Sequence, residues 1–447
     1  MYKLLLIWRY FLKKRVAYIA VLAVLLLVML VLVVLSIMSG LLEDTRQRNH
    51  RWTGDLVVGR DSLVGFAYYD EWIAALQNHP QVEAAAPVIK TFGLIQGGGA
   101  RQLMGIDMES WCRVTHFQQT LFYQKNDRLP SLAVPAADSL PPDSQPELRG
   151  CILGYYMLAG QQGFLRPGPA AAKLSVTVFG LNSRGQLAGS GIGEQQFFWY
   201  VDDSESGLVD IDSSVLYVDF HRLQKLCYMN GLDGQPKRAS EVRIKLKENV
   251  SLAAGKTAIA GLWQQFAKQY QGKPSSHLLA DVRIETWKEY RRSRIAPAEK
   301  EKSLMIVIFA MIGLVAVFII FAIFYMIVTE KIKDLGIVKS VGGSRLGISQ
   351  IFLGYGALVG LVGAVIGTIL GILIVTHSNE IEGLLNAWFG FRLWDPEVYA
   401  ISRIPDAVDY GQAAVIGLVA ILACILGASL PARRAAKLEV VETLRVD

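Results

Sequence analysis

The chain has 447 residues, 52% of them apolar, and carries 45 Lys and Arg against 39 Asp and Glu, a formal net charge of +6. That length supports more than one packed unit. The modest basic excess flanks apolar blocks instead of forming a run interleaved with aromatics, which argues for a membrane and against nucleic acid as partner.

Residues 1–15 read as a cytoplasmic, interfacial segment that ends in Lys13, Lys14 and Arg15. Residues 16–38 are apolar and free of charge. About 20 helical residues, rising 1.5 Å each, cross a hydrocarbon core of about 30 Å. The segment is therefore the first expected membrane helix. A cleaved leader would have an apolar core of only about 7–15 residues and a small-residue exit. This run is longer and has no A-x-A exit, so it is expected to stay in the membrane.

Residues 39–302 have an ordinary soluble composition and form the expected periplasmic domain. Asp55–Gly59, Val82–Lys90, Thr91–Gln96 and Gln102–Ile106 read as strands, and Tyr69–Asn78 as an amphipathic helix. Later, Ser213–Asp219 and Glu241–Leu246 alternate as strands do. Ala253–Gln271 spaces Ile259, Leu262, Trp263 and Phe266 as a helix does. The flanks, about 39–110 and 213–302, make an α+β platform. The middle, about 111–212, is rich in Pro, Gly, Ser and Asp, has β-prone runs at Leu174–Phe179 and Gln196–Val201, and reads as an inserted β-rich lobe.

The chemistry of an enzyme is missing from this stretch. Gly255-Lys256-Thr257 imitates the end of a phosphate-binding loop, but Val250 stands where that loop needs glycine. Ala188 breaks the nucleophile elbow around Ser190. There is no H-E-x-x-H, and neither a catalytic nor a metal-ligating set emerges. Cys112, Cys151, Cys227 and Cys424 contain no C-x-x-C pair and read as ordinary packed thiols.

Three more apolar runs, 303–328, 348–375 and 410–430, are expected to cross the membrane. Basic residues crowd the 329–347 loop (Lys331, Lys333, Lys339, Arg345) and the 431–447 tail (Arg433, Arg434, Lys437). The 376–409 loop is acidic. By the positive-inside rule both termini and the 329–347 loop are cytoplasmic, and 39–302 and 376–409 are outside. The expected fold is thus membrane α-helical, with four transmembrane helices and a large extracytoplasmic α+β domain containing the β-rich lobe.

Within the third run Gly356, Gly360, Gly363, Gly367 and Gly371 line one helix face and invite close approach of another helix, from a sister subunit or from this chain. In the preceding loop Ile332, Leu335 and Val338 make an apolar stripe beside Lys331, Lys333, Asp334 and Lys339. Such a helix can lie on headgroups or dock into the groove of a cytosolic partner.

Val328–Gly371, with its T-E-K-I-K-D-L-G-I-V-K loop entering a glycine-punctuated helix, resembles the hallmark of the FtsX-type permeases of ABC transporters, a MacB-like family. Leu430–Ala436 (L-P-A-R-R-A-A) and Val441–Arg445 are similar to that family's closing segment. Arg9–Leu12, Ser36-Ile37-Met38-Ser39-Gly40, Asp395–Tyr399 with Ile404-Pro405, and Gly207–Asp212 resemble motifs of its lipoprotein-releasing members, LolC and LolE. Gly343, where the family usually has alanine, departs from the pattern. The resemblance implies a non-catalytic permease that needs no cofactor of its own, since ATP and Mg²⁺ are bound by a partner. It implies a dimer of permease copies or paralogues above a pair of cytosolic ATPase subunits. Glu330, Lys331, Ile332, Lys333, Asp334, Leu335 and Lys339 would form the coupling helix. Val34, Met38, Phe318 and Phe321 would line a lipid cavity, and a periplasmic carrier would accept the lipoprotein. The alternatives are MacB-like tripartite efflux of a drug or peptide and FtsX-like signalling to a cell-wall hydrolase.

Overall fold

The computed structural model describes residues 15–96, 98–134, 150–159, 169, 172–189, 193–231, 234–330, 340, 344–390 and 403–437. The chain divides into two compact units, one of Met1–Asp44 with Ala296–Asp447 and one of Thr45–Ile295.

The first unit is helical. Its long elements are α1 (Arg15–Thr53), α7 (Arg292–Glu330), α8 (Arg345–Thr376) and α10 (Tyr410–Lys437), with the short α9 (Ser378–Phe389) after α8. These 4 long helices have the length and composition to cross a membrane. Two of them outrun the apolar segments from which they were expected: α1 continues past Met38 to Thr53, and α7 starts at Arg292. The added turns are rich in Arg, Glu and Lys, good helix formers that the membrane excludes but the helix does not. Ser344 caps α8, its hydroxyl accepting from the Gly347 amide at 3.0 Å.

A buried apolar cluster holds this unit together. It includes Val21, Val24 and Val28 of α1, Ile320 and Phe324 of α7, Phe352, Tyr355 and Val359 of α8, and Cys424 and Ala428 of α10. The Phe324 and Tyr355 rings meet edge to face at 5.3 Å.

The second unit is built on a 9-stranded sheet with helices on it, beside a 2-stranded sheet. In chain order the elements are β1 (Leu56–Gly59), β2 (Phe66–Ala67), α2 (Tyr69–Gln77), β3 (Val82–Ile95), β4 (Gly99–Ile106), α3 (Met108–Val114), β5 (Gly150–Gly154), β6 (Lys173–Val178), β7 (Glu194–Ser204), β8 (Val215–Asp219), α4 (Phe220–Leu226), β9 (Arg238–Ala239), β10 (Glu241–Leu246), α5 (Leu252–Gln269), β11 (Arg283–Thr286) and α6 (Trp287–Tyr290). The sheet runs β11-β1-β10-β3-β4-β8-β5-β7-β6, and β6 pairs back onto β3. Val82–Lys90 and Thr91–Gln96, read as separate strands, are a single strand of 14 residues. Its first half pairs with β10 (Val88 opposite Glu241) and its second half with β6 (Gly93 opposite Val178), while β4 lies along its other edge. The β-rich insert is therefore not a separate sheet: β3, β4, β8, β5, β7 and β6 close into a ring. Gly93 permits the closure, because a Cβ there would lie 2.5 Å from Leu103 Cδ1 and 2.8 Å from Val176 Cγ1.

On one face α2 and α5 pack through Trp72, Trp263 and Phe266, with the Trp72 and Trp263 rings 4.8 Å apart. Gly255-Lys256-Thr257 is the opening turn of α5, capped by Ser251, whose hydroxyl accepts from the Ala254 amide at 3.3 Å. On the opposite face Trp52 and Trp111 cover Ala86, Val88, Met104, Ile106, Ile152 and Tyr217. The four cysteines are free thiols.

Candidate functional site

Within the sheet domain, the last turns of α1 and the segment leading into α7 are held by a buried ionic and aromatic clasp. Its centre is Arg243 of β10, with a wholly buried side chain. Its Nε donates to Glu241 Oε1 at 2.8 Å and its Nη1 to the Trp52 carbonyl at 2.8 Å. The guanidinium also lies 4.2 Å from the Trp52 ring and 5.0 Å from Trp111. The other Glu241 oxygen accepts from Lys90 Nζ at 2.6 Å and from the Tyr290 hydroxyl at 3.0 Å, and Lys90 also touches Tyr290. Burial works against the charge on Glu241, yet Lys90 and Arg243 together hold its carboxyl below the usual range. Trp52 Nε1 donates to the Tyr217 hydroxyl at 2.9 Å, which fixes the indole between sheet and guanidinium.

A second ring of contacts ties in the loop Ser206–Asp212. Arg291 Nε donates to Asn49 Oδ1 at 2.5 Å, and its Nη2 to both Asp210 oxygens at 2.9 and 3.1 Å. Arg294 Nε is 3.3 Å from Asp210. Asp212 braces the same loop, accepting from the Ser206 amide and hydroxyl at 3.0 and 2.7 Å and from the Gly207 amide at 2.9 Å. Burial lifts its carboxyl to about 6. Gly207, at φ 72°, has no room for a side chain beside Arg48. His50 stacks on Trp287 at 4.9 Å and bonds Asp55 at 2.7 Å, while Asp55 Oδ2 accepts from the Leu246 amide at 2.7 Å. A cavity of about 630 Å³ opens beside the clasp, with Lys90, Glu241 and Tyr290 in its wall.

In the helical unit two family-like motifs meet each other. A Cβ on Gly40 would lie 2.5 Å from Pro405 Cβ. Ser39 Oγ is 3.3 Å from Gln412 Oε1. Asn379 Nδ2 donates to the Ile404 carbonyl at 3.0 Å, and its Oδ1 accepts from the Ile404 amide at 2.9 Å.

The five glycines of the α8 stripe face helices of this chain. A Cβ on Gly356 would sit 2.8 Å from Ala428 Cβ and one on Gly360 2.9 Å from Cys424 Cβ, both on α10. A Cβ on Gly363 would sit 2.8 Å from Val24 Cβ, on Gly367 2.7 Å from the Leu25 carbonyl oxygen, and on Gly371 3.0 Å from Leu32 Cδ2, all on α1. One stripe thus serves two neighbours in succession. Gly427 of α10 approaches α7 similarly, a Cβ there lying 3.0 Å from Ile320 Cγ2.

The other expected residues are not assembled in this way. Lys331, Ile332, Lys333, Asp334, Leu335 and Lys339 lie outside the described residues, and Glu330 is the last residue of α7. Phe318 is 65% exposed, whereas Val34, Met38 and Phe321 are half-buried. None of these four belongs to the buried membrane cluster. The clasp went unread in the sequence. Its one available signal was the charges Glu241 and Arg243, which share a face with Lys245 on a strand whose other face is apolar.

Residues 306–440 match the family model described as FtsX-like permease C-terminal. The lipoprotein-releasing system transmembrane protein LolC of Xylella fastidiosa (strain Temecula1 / ATCC 700964) is 24% identical over 416 residues, 92% of this chain and 89% of that protein. The protein of the same name from Neisseria meningitidis serogroup B is 31% identical over 166 residues, 37% of this chain and 40% of that one. Among solved structures, the periplasmic region of MacB from Actinobacillus actinomycetemcomitans aligns with 55% of this chain and 95% of its own, at 13% identity and a TM-score of 0.29. The family match lies on the long helices and the LolC resemblance runs through both units, so the chain is a multi-pass inner-membrane protein that carries an FtsX-like permease C-terminal region and is similar to LolC along most of its length.

Proposed function

We propose that the chain is the permease subunit that releases lipoproteins from the inner membrane, driven by ATP hydrolysis in a separate cytosolic subunit. The observation that carries this reading is the alignment with LolC over 92% of the chain, since it takes in the sheet domain as well as the membrane helices. Relatives such as the ABC transporter permease YtrF of Bacillus subtilis align over only 30% of the chain and support no more than the permease class.

In this reading both termini are cytoplasmic, and the segment from Glu330 to Lys339 docks on the ATPase, its apolar stripe in a groove and its charges paired at the rim. ATP and Mg²⁺ belong to that partner, and this chain performs no chemistry itself. A second permease copy or paralogue completes the transporter, and a periplasmic carrier takes up the acylated product. The clasp supports a mechanical role. Charge buried this deeply is costly unless every partner stays in place, so it favours one fixed geometry between helix ends and sheet.

Depleting the chain in its own cell should leave lipoproteins in the inner-membrane fraction, while unacylated secreted proteins are localised normally. Correct lipoprotein sorting after depletion overturns the reading. Loss of drug or peptide efflux instead would favour a MacB-like exporter, and loss of wall-hydrolase activation an FtsX-like signalling module.

A further inference from the structure

The helix α9 begins at Ser378, just beyond the end of membrane helix α8 at Thr376, and runs only to Phe389. At 12 residues it is too short to cross a bilayer. Its composition is nonetheless sharply sided. Ile381, Leu384, Leu385, Trp388 and Phe389 recur at spacings of three and four, so they share one face, while Asn379, Glu382, Gly383 and Asn386 occupy the other. The apolar face is open. Trp388 is 80% exposed, Phe389 73%, Leu384 60% and Ile381 36%. The polar face is already engaged by the chain, because Asn379 grips both backbone polar groups of Ile404. Gly390, at φ 63°, ends the helix with its amide on the Asn386 carbonyl at 2.9 Å.

We propose that α9 lies flat in the headgroup region of the leaflet into which α8 emerges, with its apolar stripe sunk among the upper acyl chains. Three observations favour lipid over protein as the occupant. The first is position: one residue separates the helix from the end of a helix long and apolar enough to cross a membrane, and that helix is apolar up to Val375. The second is chemistry, since Trp and Phe at the far end of the stripe match the side chains enriched at membrane interfaces. The third is orientation, because the Asn379–Ile404 bond pair fixes the polar face toward the 403–409 segment and leaves the stripe turned away. The helix then sets the depth of the α8–α10 hairpin in the bilayer. The inference needs only that α8 spans a membrane, not that the cargo is a lipoprotein.

The test uses the full chain in lipid nanodiscs, with native cysteines replaced and a nitroxide placed in turn at Leu384→Cys, Leu385→Cys, Glu382→Cys and Asn386→Cys. Labels at 384 and 385 should relax severalfold more with oxygen, which concentrates in lipid, than with a water-soluble nickel chelate. Labels at 382 and 386 should show the reverse. Nickel access at all positions puts the stripe in water and overturns the proposal. So does exclusion of both reagents from 384 and 385, which means that a second copy or the chain itself covers the stripe. Should the cysteine variants not fold, the native chain in acyl-brominated lipid answers the same question. Trp388→Phe should lessen the bromine quenching of tryptophan emission, and equal quenching with and without Trp388 overturns the proposal.

Discussion

Asp212 shows how one side chain can tie a loop to the acidity of its surroundings. It accepts hydrogen bonds from Ser206 and Gly207, which favour the carboxylate, but burial outweighs them and lifts it from 3.8 to about 6. A folded value above the unfolded one means that the native state binds the proton more tightly. Its contribution is therefore greatest below the ordinary carboxyl range, declines as the pH rises from about 4 to 6, and is level above that. The full excursion amounts to ~3 kcal/mol. Glu241, held below its usual value, acts in the opposite sense and loses its contribution as the pH falls. Denaturant unfolding of the wild type and of Asp212→Asn from about pH 2 to 7 separates the two: the decline between about 4 and 6 should vanish in the variant, and the Glu241 effect at lower pH should remain. Gly207–Asp212 was visible in the sequence as a family-like motif, but its partners Asn49, Arg291 and Arg294 were not, since they come from distant parts of the chain. Glu241 and Arg243 were hidden for a related reason. Alternation in Glu241-Val242-Arg243-Ile244 marks a polar face that would ordinarily meet water. Here Trp52 and Trp111 close over it, and only the folded chain brings those indoles to the strand.

At the level of elements, the glycine spacing of α8 was legible because close packing needs small residues at intervals of three and four. The helices that fill the notches were not, because spacing carries no information about the partner. The stripe turns from α10 to α1 between Gly360 and Gly363, a consequence of helices crossing at an angle instead of running parallel. Gly367→Ala should force α1 and α8 apart, since the new Cβ would sit 2.7 Å from the Leu25 carbonyl oxygen, at a cost of about 1–3 kcal/mol. Gly383→Ala on α9 meets open space and gains helix propensity, so it should be neutral or stabilising by about 0.5–1 kcal/mol. Thermal unfolding of the two variants in detergent checks the contrast; equal effects would mean that α8 is not packed on α1 as described. Strand positions followed from composition and alternation, whereas lengths did not: β4 and β7 run beyond the expected Gln102–Ile106 and Gln196–Val201, and the union of β3 was unread. A strand that serves two partners on one edge looks, in sequence, like two short strands.

For the whole molecule, the last residues of α1 and the residues leading into α7 belong to the sheet domain, and what they grip there is a property of that domain. Arg291 joins Asn49 of α1, Asp210 of the 206–212 loop and the start of α7 through one guanidinium. Arg291→Met keeps much of the side-chain volume but leaves Asp210 with only the longer Arg294 contact. On the proposed function, in membranes containing the partner ATPase this variant should still bind the ATPase and leave its ATP turnover intact, but release of lipidated cargo should fall by about tenfold or more, the equivalent of ~1.4 kcal/mol of lost coupling. Leu335→Asp, in the segment proposed to dock on the ATPase, should instead lose ATPase binding and release together. Measuring co-purification, ATP turnover and release for both variants distinguishes a broken transmission from a missing engine. If Arg291→Met releases cargo at the wild-type rate, the clasp is structural and the helices transmit force without it.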